Sequence, residues 1–279
     1  MIRFGDFRLH VLSDGTIGAD GGAMFGVVPR VIWEQIDPPD EKNRVTLGLN
    51  VPLVEAGGKR ILVDPGLGNK WGPKEARNYR IERRETLLDG LRGLGLGPDD
   101  IDVVVDTHLH YDHVGGNTQL MDGMLRPTFP RARYVIQAGE WEAAVNPDER
   151  SRPSYVESNF VPLAEAGQVD LVRGDAEIAP GVRVERVGGH TAHLQMVLFE
   201  SGGETLAVPT DLLPTTSHLP PAFVMSYDLF PLETIQAKRT LLDRAAEGSW
   251  LILFYHDART RVGRVRQQGG RCVLSEVIA

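Results

Sequence analysis

The hydrophobic pattern alternates between short apolar segments and glycine-rich turns over most of the chain. "FRLHVLSDG" predicts a strand, and "VPLVEAGGKRILVD" predicts a hairpin closed by Gly57 and Gly58. Apolar residues at helical spacing predict a helix over residues 82–92. The run "IDVVV" at 101–105 lacks alternation, which predicts a strand buried on both faces.

The second half of the chain repeats this organisation. "VRVERVGG", "LQMVLFE", "ETLAVPTD" and "SWLILFYHD" predict strands, and "PLETIQAKRTLLDRAAEG" predicts a helix. Two sets of strands with interspersed helices predict two sheets with helices outside. No interdomain linker is visible, so we expect a single domain over 1–279, with a long irregular loop at about 17–43.

Composition and charge restrict the class of protein. A hydrophobic fraction of 42% and a charged fraction of 24% are typical of a soluble globular protein. The net charge of -8 argues against nucleic acid as a partner. The single cysteine, Cys272, excludes an intrachain disulfide, and neither a signal peptide nor a membrane-spanning run is recognisable. We therefore expect a cytoplasmic protein without a membrane partner.

One segment concentrates metal-binding side chains directly after the predicted buried strand. "HLHYDH" holds three histidines and one aspartate in six consecutive positions, His108 to His113. Imidazole nitrogens and carboxylate oxygens are the usual ligands of zinc and similar divalent ions. His108 and His110 can point to one ion, while Asp112 and His113 point to a neighbouring one. A helix start capped by Asp112 is the structural alternative, which so dense a cluster disfavours.

Three further polar residues follow predicted strands. His190 comes after "VRVERVGG", Asp211 after "ETLAVPT" and His256 after "SWLILFY". Alone, each is more often a turn or capping residue. Because α/β architectures place their chemistry at strand ends, the three together predict additional ligands for the same site.

These residues resemble the ligand set of the metallo-β-lactamase superfamily in order and in strand-end position, over essentially the whole chain: His108, His110, Asp112, His113, His190, Asp211 and His256. "ILVDPG" at 61–66 is similar to an element that precedes the motif in that superfamily. The resemblance implies an α+β fold, an αββα sandwich. Two mixed β-sheets would carry helices on their outer faces and a dinuclear metal site at one edge.

The resemblance also implies how the ligands divide between two divalent ions. One ion would bind His108, His110 and His190, the other Asp112, His113 and His256, with Asp211 and a hydroxide bridging both. Asp112 would also orient the nucleophile or relay its proton. Asp64 is a candidate to fix one ligand histidine through a hydrogen bond. Zinc is the favoured metal, and iron, cobalt and manganese accept the same ligands.

Departures from other branches of the superfamily narrow the expected activity. Diiron flavoproteins usually carry glutamate where this chain has His110, and exported β-lactamases generally lack the bridging aspartate. Only 23 residues follow His256, too few for the helical domain of glyoxalase II. The acidic chain lacks the basic arm of the tRNA-processing branch. "GGAMFGVVPRVIW" and "TDLLPTTSHLPPAFVMSYDLFP" are similar to segments of N-acyl homoserine lactonases and methyl-parathion-hydrolase-like phosphotriesterases.

That branch implies a substrate pocket beside the metals. Many lactonases place a tyrosine three residues after the bridging aspartate, but Pro214 occupies this position here. We expect His218 or Tyr227 to replace it, in a catalytic set completed by Asp112 and Asp211. The predicted apolar lining consists of Met24, Phe25, Trp33, Phe223, Met225 and Phe230. The long apolar loop near the N-terminus also predicts a homodimer.

Three functions remain open from the sequence. The favoured one is a quorum-quenching N-acyl homoserine lactonase that uses a hydroxide between two metals to open a small-molecule lactone. A phosphotriesterase with the same site is the first alternative, and such activity is also expected as a side reaction of a lactonase. A non-catalytic metal or redox protein on the same fold is the second. The full set of seven ligand residues disfavours it.

Overall fold

The computed structural model describes residues 1–279 and arranges fourteen strands in two mixed sheets, with two more in a separate hairpin. The strands in chain order are β1 (Ile2–Phe4), β2 (Phe7–Asp20), β3 (Arg44–Ala56), β4 (Lys59–Val63), β5 (Val103–Val105), β6 (Thr118–Met121), β7 (Met124–Pro127), β8 (Arg133–Gln137), β9 (Val169–Val172), β10 (Ala176–Ala179), β11 (Val182–Arg186), β12 (Gln195–Ser201), β13 (Glu204–Val208), β14 (Leu251–Leu253), β15 (Val262–Gln268) and β16 (Arg271–Val277). The first sheet has the order β1-β2-β3-β4-β5-β8-β9, and the second runs from β10 to β16. Strands β4, β5, β8 and β9 pair in parallel, as do β13 and β14, while the other pairs are antiparallel.

Eight α-helices connect the strands. They are α1 (Gly21–Phe25), α2 (Arg30–Trp33), α3 (Pro73–Asn78), α4 (Leu87–Gly93), α5 (Tyr111–Val114), α6 (Ala138–Val145), α7 (Val161–Glu165) and α8 (Pro231–Glu247). No helix has both the length and the apolar character needed to cross a membrane.

The core is layered as a sandwich because side chains alternate along each strand. In β12, Val197 and Phe199 join the large cluster between the sheets, whereas Met196 and Leu198 face the opposite way. This second face of the sheet is covered by α8 through a cluster that includes Leu241, Leu242 and Ala245. The predicted architecture, two mixed sheets with helices outside, is confirmed.

Residues 17–43 are more regular than the sequence pattern suggested. Strand β2 continues to Asp20 because its last residues pair with the start of β3, with Ile17 opposite Leu47 and Asp20 opposite Arg44. Asp20 then caps α1 by accepting a hydrogen bond from the Ala23 N–H. Pairing with a strand more than twenty residues away leaves no local periodic signal, so the prediction of an irregular loop was wrong here.

Two local predictions have clear outcomes. The hairpin is confirmed, since β3 and β4 pair up to Ala56 and Lys59 with Gly57 and Gly58 at positive φ in the turn. The predicted helix begins later than expected, at Leu87, because Thr86 and Asp89 form a reciprocal capping box.

Candidate metal centre and substrate pocket

The seven side chains predicted to bind metal converge where four strands end. Strand β5 leads into the segment with His108 and His110, and α5 then supplies Asp112 and His113. The other three, His190, Asp211 and His256, follow β11, β13 and β14. Three groups have ligand atoms within 4.8 Å of one another. Two are the predicted ones: the first triad, His108, His110 and His190, and the second triad, Asp112, His113 and His256. The third, Asp64, His108 and His113, contains Asp64, which already accepts from His113 Nδ1.

Asp211 lies between the two triads and directs one carboxylate oxygen to each. Its Oδ2 is 3.1 Å from His190 Nε2 and 3.9 Å from His108 Nε2. Its Oδ1 is 3.2 Å from His113 Nε2 and 3.1 Å from His256 Nε2. A carboxylate shared in this way can bind two cations at once.

The backbone before Asp211 is held in an unfavourable conformation. Thr210 has φ of 46°, which a β-branched residue rarely adopts. Its hydroxyl donates to the Thr107 hydroxyl, and that hydroxyl donates to Asp64. Asp64 also accepts from His113 Nδ1 at 2.8 Å. A continuous hydrogen-bonded chain therefore connects the turn that carries Asp211 to a ligand of the second triad.

The outward nitrogens of three histidines are already occupied. His113 Nδ1 lies 2.8 Å from Asp64, His190 Nδ1 lies 2.9 Å from Asp228, and His256 Nδ1 lies 3.0 Å from the Gly48 carbonyl. Each of these oxygens is an acceptor, so each Nδ1 carries the proton. In the neutral ring the inward Nε2 then presents a lone pair to the site.

These lone pairs fit divalent metal ions. His113 Nε2 and His256 Nε2 face each other at 3.1 Å and both lie within 3.2 Å of Asp211 Oδ1, so one cation can take the place of a shared proton there. His108 Nε2 and Asp211 Oδ1 are buried without a hydrogen-bond partner. Nitrogen and carboxylate donors in this number match zinc and related metals. Buried acceptor atoms that converge without hydrogen-bond donors are typical of metal ligands.

The protonation of the site follows from burial and from its neighbours. Burial and the surrounding imidazoles hold the pKa of His108 and of His110 well below its ordinary value. Burial alone would raise the pKa of Asp211, but His113, His190 and His256 hold it well below its ordinary value. His108 and His110 are therefore neutral and Asp211 is ionised at neutral pH. Burial opposes it, but Asp211 raises the pKa of His113 and of His190, so a metal bound there would displace protons.

A cavity of about 490 Å³ opens above the ligands. Its floor includes Asp112 and Asp211, and Met24 and Met225 form part of its apolar wall. Polar and aromatic residues form much of the remainder: Asp20, Arg44, Asn78, Tyr79, Tyr111, Arg150, Ser151, Ser154, Ser226 and Tyr227. The volume suits a small organic molecule, with one apolar side and several hydrogen-bonding groups.

Of the six residues predicted to form the apolar lining, Met24 and Met225 border the cavity, and so does Tyr227, which was predicted as a catalytic residue. Phe25 lies behind the wall instead, stacked between Trp33 at 5.3 Å and His218 at 5.0 Å, with Phe223 edge-on. Phe230 precedes α8 and also lies outside the cavity lining. The short helix α1 causes this division, because it turns Met24 to the cavity and Phe25 to the core.

His218 is a support of the pocket wall in this structure. Its Nε2 donates to the Met24 carbonyl at 2.9 Å, and its Nδ1 accepts from the Thr215 hydroxyl at 2.8 Å. Burial lowers the pKa of His218 to about 4, so the ring is neutral near pH 7. With both nitrogens engaged and the side chain buried, the structure does not bring His218 to the substrate cavity.

Several residues that support the site were not predicted from the sequence. Asp228 holds His190, and Arg150 donates to the carbonyls of Ser226 and Asp228 on either side of Tyr227. Glu140, buried in α6, accepts hydrogen bonds near the first triad. Tyr111, inside the histidine motif, borders the cavity beside His110 and Asp112 and was also not predicted.

Known proteins resemble this chain in sequence and in structure. A family model described as the metallo-beta-lactamase superfamily matches residues 46–256. The N-acyl homoserine lactonase AiiB of Agrobacterium fabrum is 33% identical over 233 residues, covering 77% of this chain and 80% of that protein. The match to a lactonase of Bacillus thuringiensis, at 26% identity, spans only 60% of that relative's length.

Two solved structures extend the comparison over the whole chain. A probable metal-dependent hydrolase from Staphylococcus aureus superposes with a TM-score of 0.91 at 29% identity, covering 100% of both chains. AidC, a dizinc quorum-quenching lactonase solved with its product, superposes with a TM-score of 0.82 at 19% identity, covering 100% of this chain and 97% of AidC. At 19% identity, the similarity to AidC shows a shared fold and no more.

Proposed function

The chain belongs to the metallo-beta-lactamase superfamily, and from that premise we propose that it is a two-metal hydrolase that opens N-acyl homoserine lactones, a quorum-quenching activity. The observation that carries the proposal is Asp211, which directs one oxygen to each of two buried triads beneath an open cavity. The lactonase AiiB, at 33% identity, supports the choice of substrate class.

The seven ligand residues would hold two divalent ions, for which zinc is the proposed metal, as in the dizinc lactonase AidC. The first triad would bind one ion and the second triad the other, with Asp211 shared. Two bound ions would lower the pKa of a water and polarise the carbonyl of an ester. Iron, cobalt or manganese would serve with the same ligands.

Asp112 is the proposed proton carrier. It borders the cavity with its side chain 17% exposed, and its Oδ2 lies 3.6 Å from His256 Nε2. When water attacks the lactone carbonyl and the ring C–O bond breaks, Asp112 accepts the water's proton and returns it to the departing alkoxide. The product is the ring-opened N-acyl homoserine.

The apolar wall is proposed to take the acyl chain. Met24 and Met225 are buried yet border the cavity, and Leu229 lies on the same segment as Met225. Flexible methionine side chains adapt to acyl chains of different lengths. The amide and lactone groups would then face the polar part of the lining.

Tyr227 is the proposed donor to the substrate carbonyl, in place of the tyrosine that Pro214 excludes. Its side chain borders the cavity, and burial together with Asp112 raises the pKa of Tyr227 to about 12, so the phenol keeps its proton. Tyr227→Phe should lower kcat/KM for the lactone by about 10-fold, the loss of one hydrogen bond. Steady-state kinetics with metal analysis checks this. Unchanged kcat/KM with two ions still bound would show that the phenol does not contact the substrate.

A homodimer is part of the proposal, and the exposed patch of α2 and its flanks supports it. Val27 is 89% exposed, Val31 66% and Ile32 48%, just beyond Met24 of the pocket wall. Large apolar side chains exposed close together in the chain commonly mark an interface.

A cytoplasmic location is also part of the proposal. The single cysteine suits it, because thiols stay reduced there.

Val31→Asp should raise the dimer dissociation constant by at least about 10-fold, since it buries a charge in an apolar interface. Sedimentation velocity over a range of concentrations measures this. Leu94→Asp, at an exposed leucine beyond the end of α4, is the matched control and should leave the dimer unchanged. A wild-type protein that stays monomeric, or a dimer equally stable in both variants, would refute the interface.

The experiment that tests the activity compares two substrate classes. Purified, zinc-loaded protein is assayed for acid release from short- and long-chain N-acyl homoserine lactones and, in parallel, for paraoxon hydrolysis. The proposal expects kcat/KM for at least one lactone to exceed that for paraoxon. Faster paraoxon turnover would favour a phosphotriesterase, and bound metal without turnover of either would favour a non-catalytic metal protein.

A further inference from the structure

Glu140 is a buried carboxylate at the centre of three separate segments. It lies in α6 and is only 1% exposed. Its Oε1 accepts from the Leu109 N–H at 3.1 Å and from the Tyr155 hydroxyl at 2.9 Å. Its Oε2 accepts from the Thr191 hydroxyl at 2.7 Å. No cation forms a hydrogen bond or ion pair with it, so these three donors satisfy the carboxylate.

Each donor belongs to a segment that carries or contacts the first triad. Leu109 lies between His108 and His110, and Thr191 directly follows His190. Tyr155 pairs with His110 in an isolated β-bridge, and their rings lie 5.2 Å apart. One side chain thus connects the two segments that carry His108, His110 and His190, together with Tyr155 beside His110.

The second triad has different supports. His113 Nδ1 is held by Asp64, and His256 Nδ1 by the Gly48 carbonyl. None of the hydrogen bonds of Glu140 reaches these residues.

From this division of contacts we infer that Glu140 is a positioning residue for one of the two metal sites only, the one built from His108, His110 and His190. The inference rests on the proposed two-metal centre. Removing the carboxylate leaves a buried N–H and two hydroxyls without their acceptor, which loosens the spacing between the His108–His110 segment and His190. We expect the second triad to keep its geometry, because Asp64 and the Gly48 carbonyl still hold His113 and His256.

The test measures metal affinity and needs no substrate. Metal-free protein is titrated with Zn²⁺ in competition with a chromophoric chelator. His190→Ala and His256→Ala identify which of the two binding equivalents belongs to which triad. Glu140→Ala should weaken the equivalent lost in His190→Ala by about 10- to 100-fold and leave the other unchanged. Glu142→Ala is the matched control, because Glu142 is an exposed residue of the same helix, and it should bind as wild type does.

Several results would overturn the inference. Equal weakening of both equivalents in Glu140→Ala would indicate a general loss of structure, and no weakening would show that the carboxylate is dispensable. If Glu140→Ala does not fold, Glu140→Gln decides, because it keeps one acceptor oxygen but turns an N–H toward Thr191. Selective weakening of the first triad's equivalent in that variant supports the inference, and any other pattern overturns it. Wild-type protein that binds fewer than two ions would instead refute the two-metal centre itself.

Discussion

Replacing Asp211 with alanine is expected to lower kcat/KM for N-acyl homoserine lactones by at least about 10³-fold. The variant should also bind fewer than two zinc ions per chain. Kinetics with metal analysis on the same preparation measures both quantities.

The size of this effect follows from the position of the carboxylate. Asp211 is the one acidic residue in contact with histidines of both triads, with three imidazole nitrogens within 3.2 Å of its oxygens. Two divalent ions at short separation repel each other strongly unless an anion lies between them. Alanine removes that anion from a buried site, so the second ion would bind weakly and the attacking water would lose its alignment.

The isosteric Asp211→Asn variant tests whether metal binding and activity depend on the charge of the side chain or only on its shape. Asparagine keeps the volume and one oxygen, so it should retain one ion but little activity. Asp243→Ala, on the exposed face of α8, is the control for an unrelated aspartate and should match wild type. Full activity in Asp211→Ala with two ions bound would contradict the assignment of Asp211 as the shared ligand.

Replacing Asp112 with asparagine is expected to lower kcat for the lactone by about 10²- to 10⁴-fold, with little change in KM. Asparagine preserves the size of the side chain at the cavity floor but cannot take up a proton. The nearest histidine nitrogens to Asp112 Oδ2 are 3.6 and 3.9 Å away, so this carboxylate lies further from the ligand nitrogens than Asp211 does.

Metal analysis distinguishes the two roles of Asp112. If asparagine leaves two ions bound while kcat falls, the carboxylate acts mainly on the proton. If the ion of the second triad is lost, its main role is ligation. A kcat within a few-fold of wild type would mean that neither role is needed and that another group carries the proton.

The convergence of the candidate metal ligands was predictable because each has a local signal in the sequence. Every ligand directly follows an apolar strand or belongs to one short histidine motif, and parallel strand ends meet at one edge of a sandwich. Asp64 was also recognisable, from the "VDPG" turn, although its contact with His113 is a matter of tertiary structure.

The supporting residues were not predictable in the same way. Asp228 and His190 are 38 positions apart, and Glu140 and Thr191 are 51 positions apart. A buried carboxylate in a helix looks like a surface residue until its partners are known. Such pairs depend on how segments pack, which no local pattern records.

Only some of the residues predicted for the pocket wall border the cavity, and the reason is again tertiary packing. Met24 and Phe25 are adjacent and similarly apolar, and glycines flank both, so the sequence does not distinguish them. The short helix α1 separates their directions, and Gly21 allows it, because a β-carbon there would lie 2.4 Å from the Trp33 ring. The stack of Trp33, Phe25 and His218 then fills the space behind the wall.

The most direct test of the two-metal lactonase is the rate of lactone opening as zinc is added to metal-free protein. We expect no activity without metal and a rise that ends at two equivalents per chain. The same titration of Asp211→Ala should stay near the baseline. Two tightly bound zinc ions with no opening of any N-acyl homoserine lactone, or lactone opening that does not depend on metal, would contradict it.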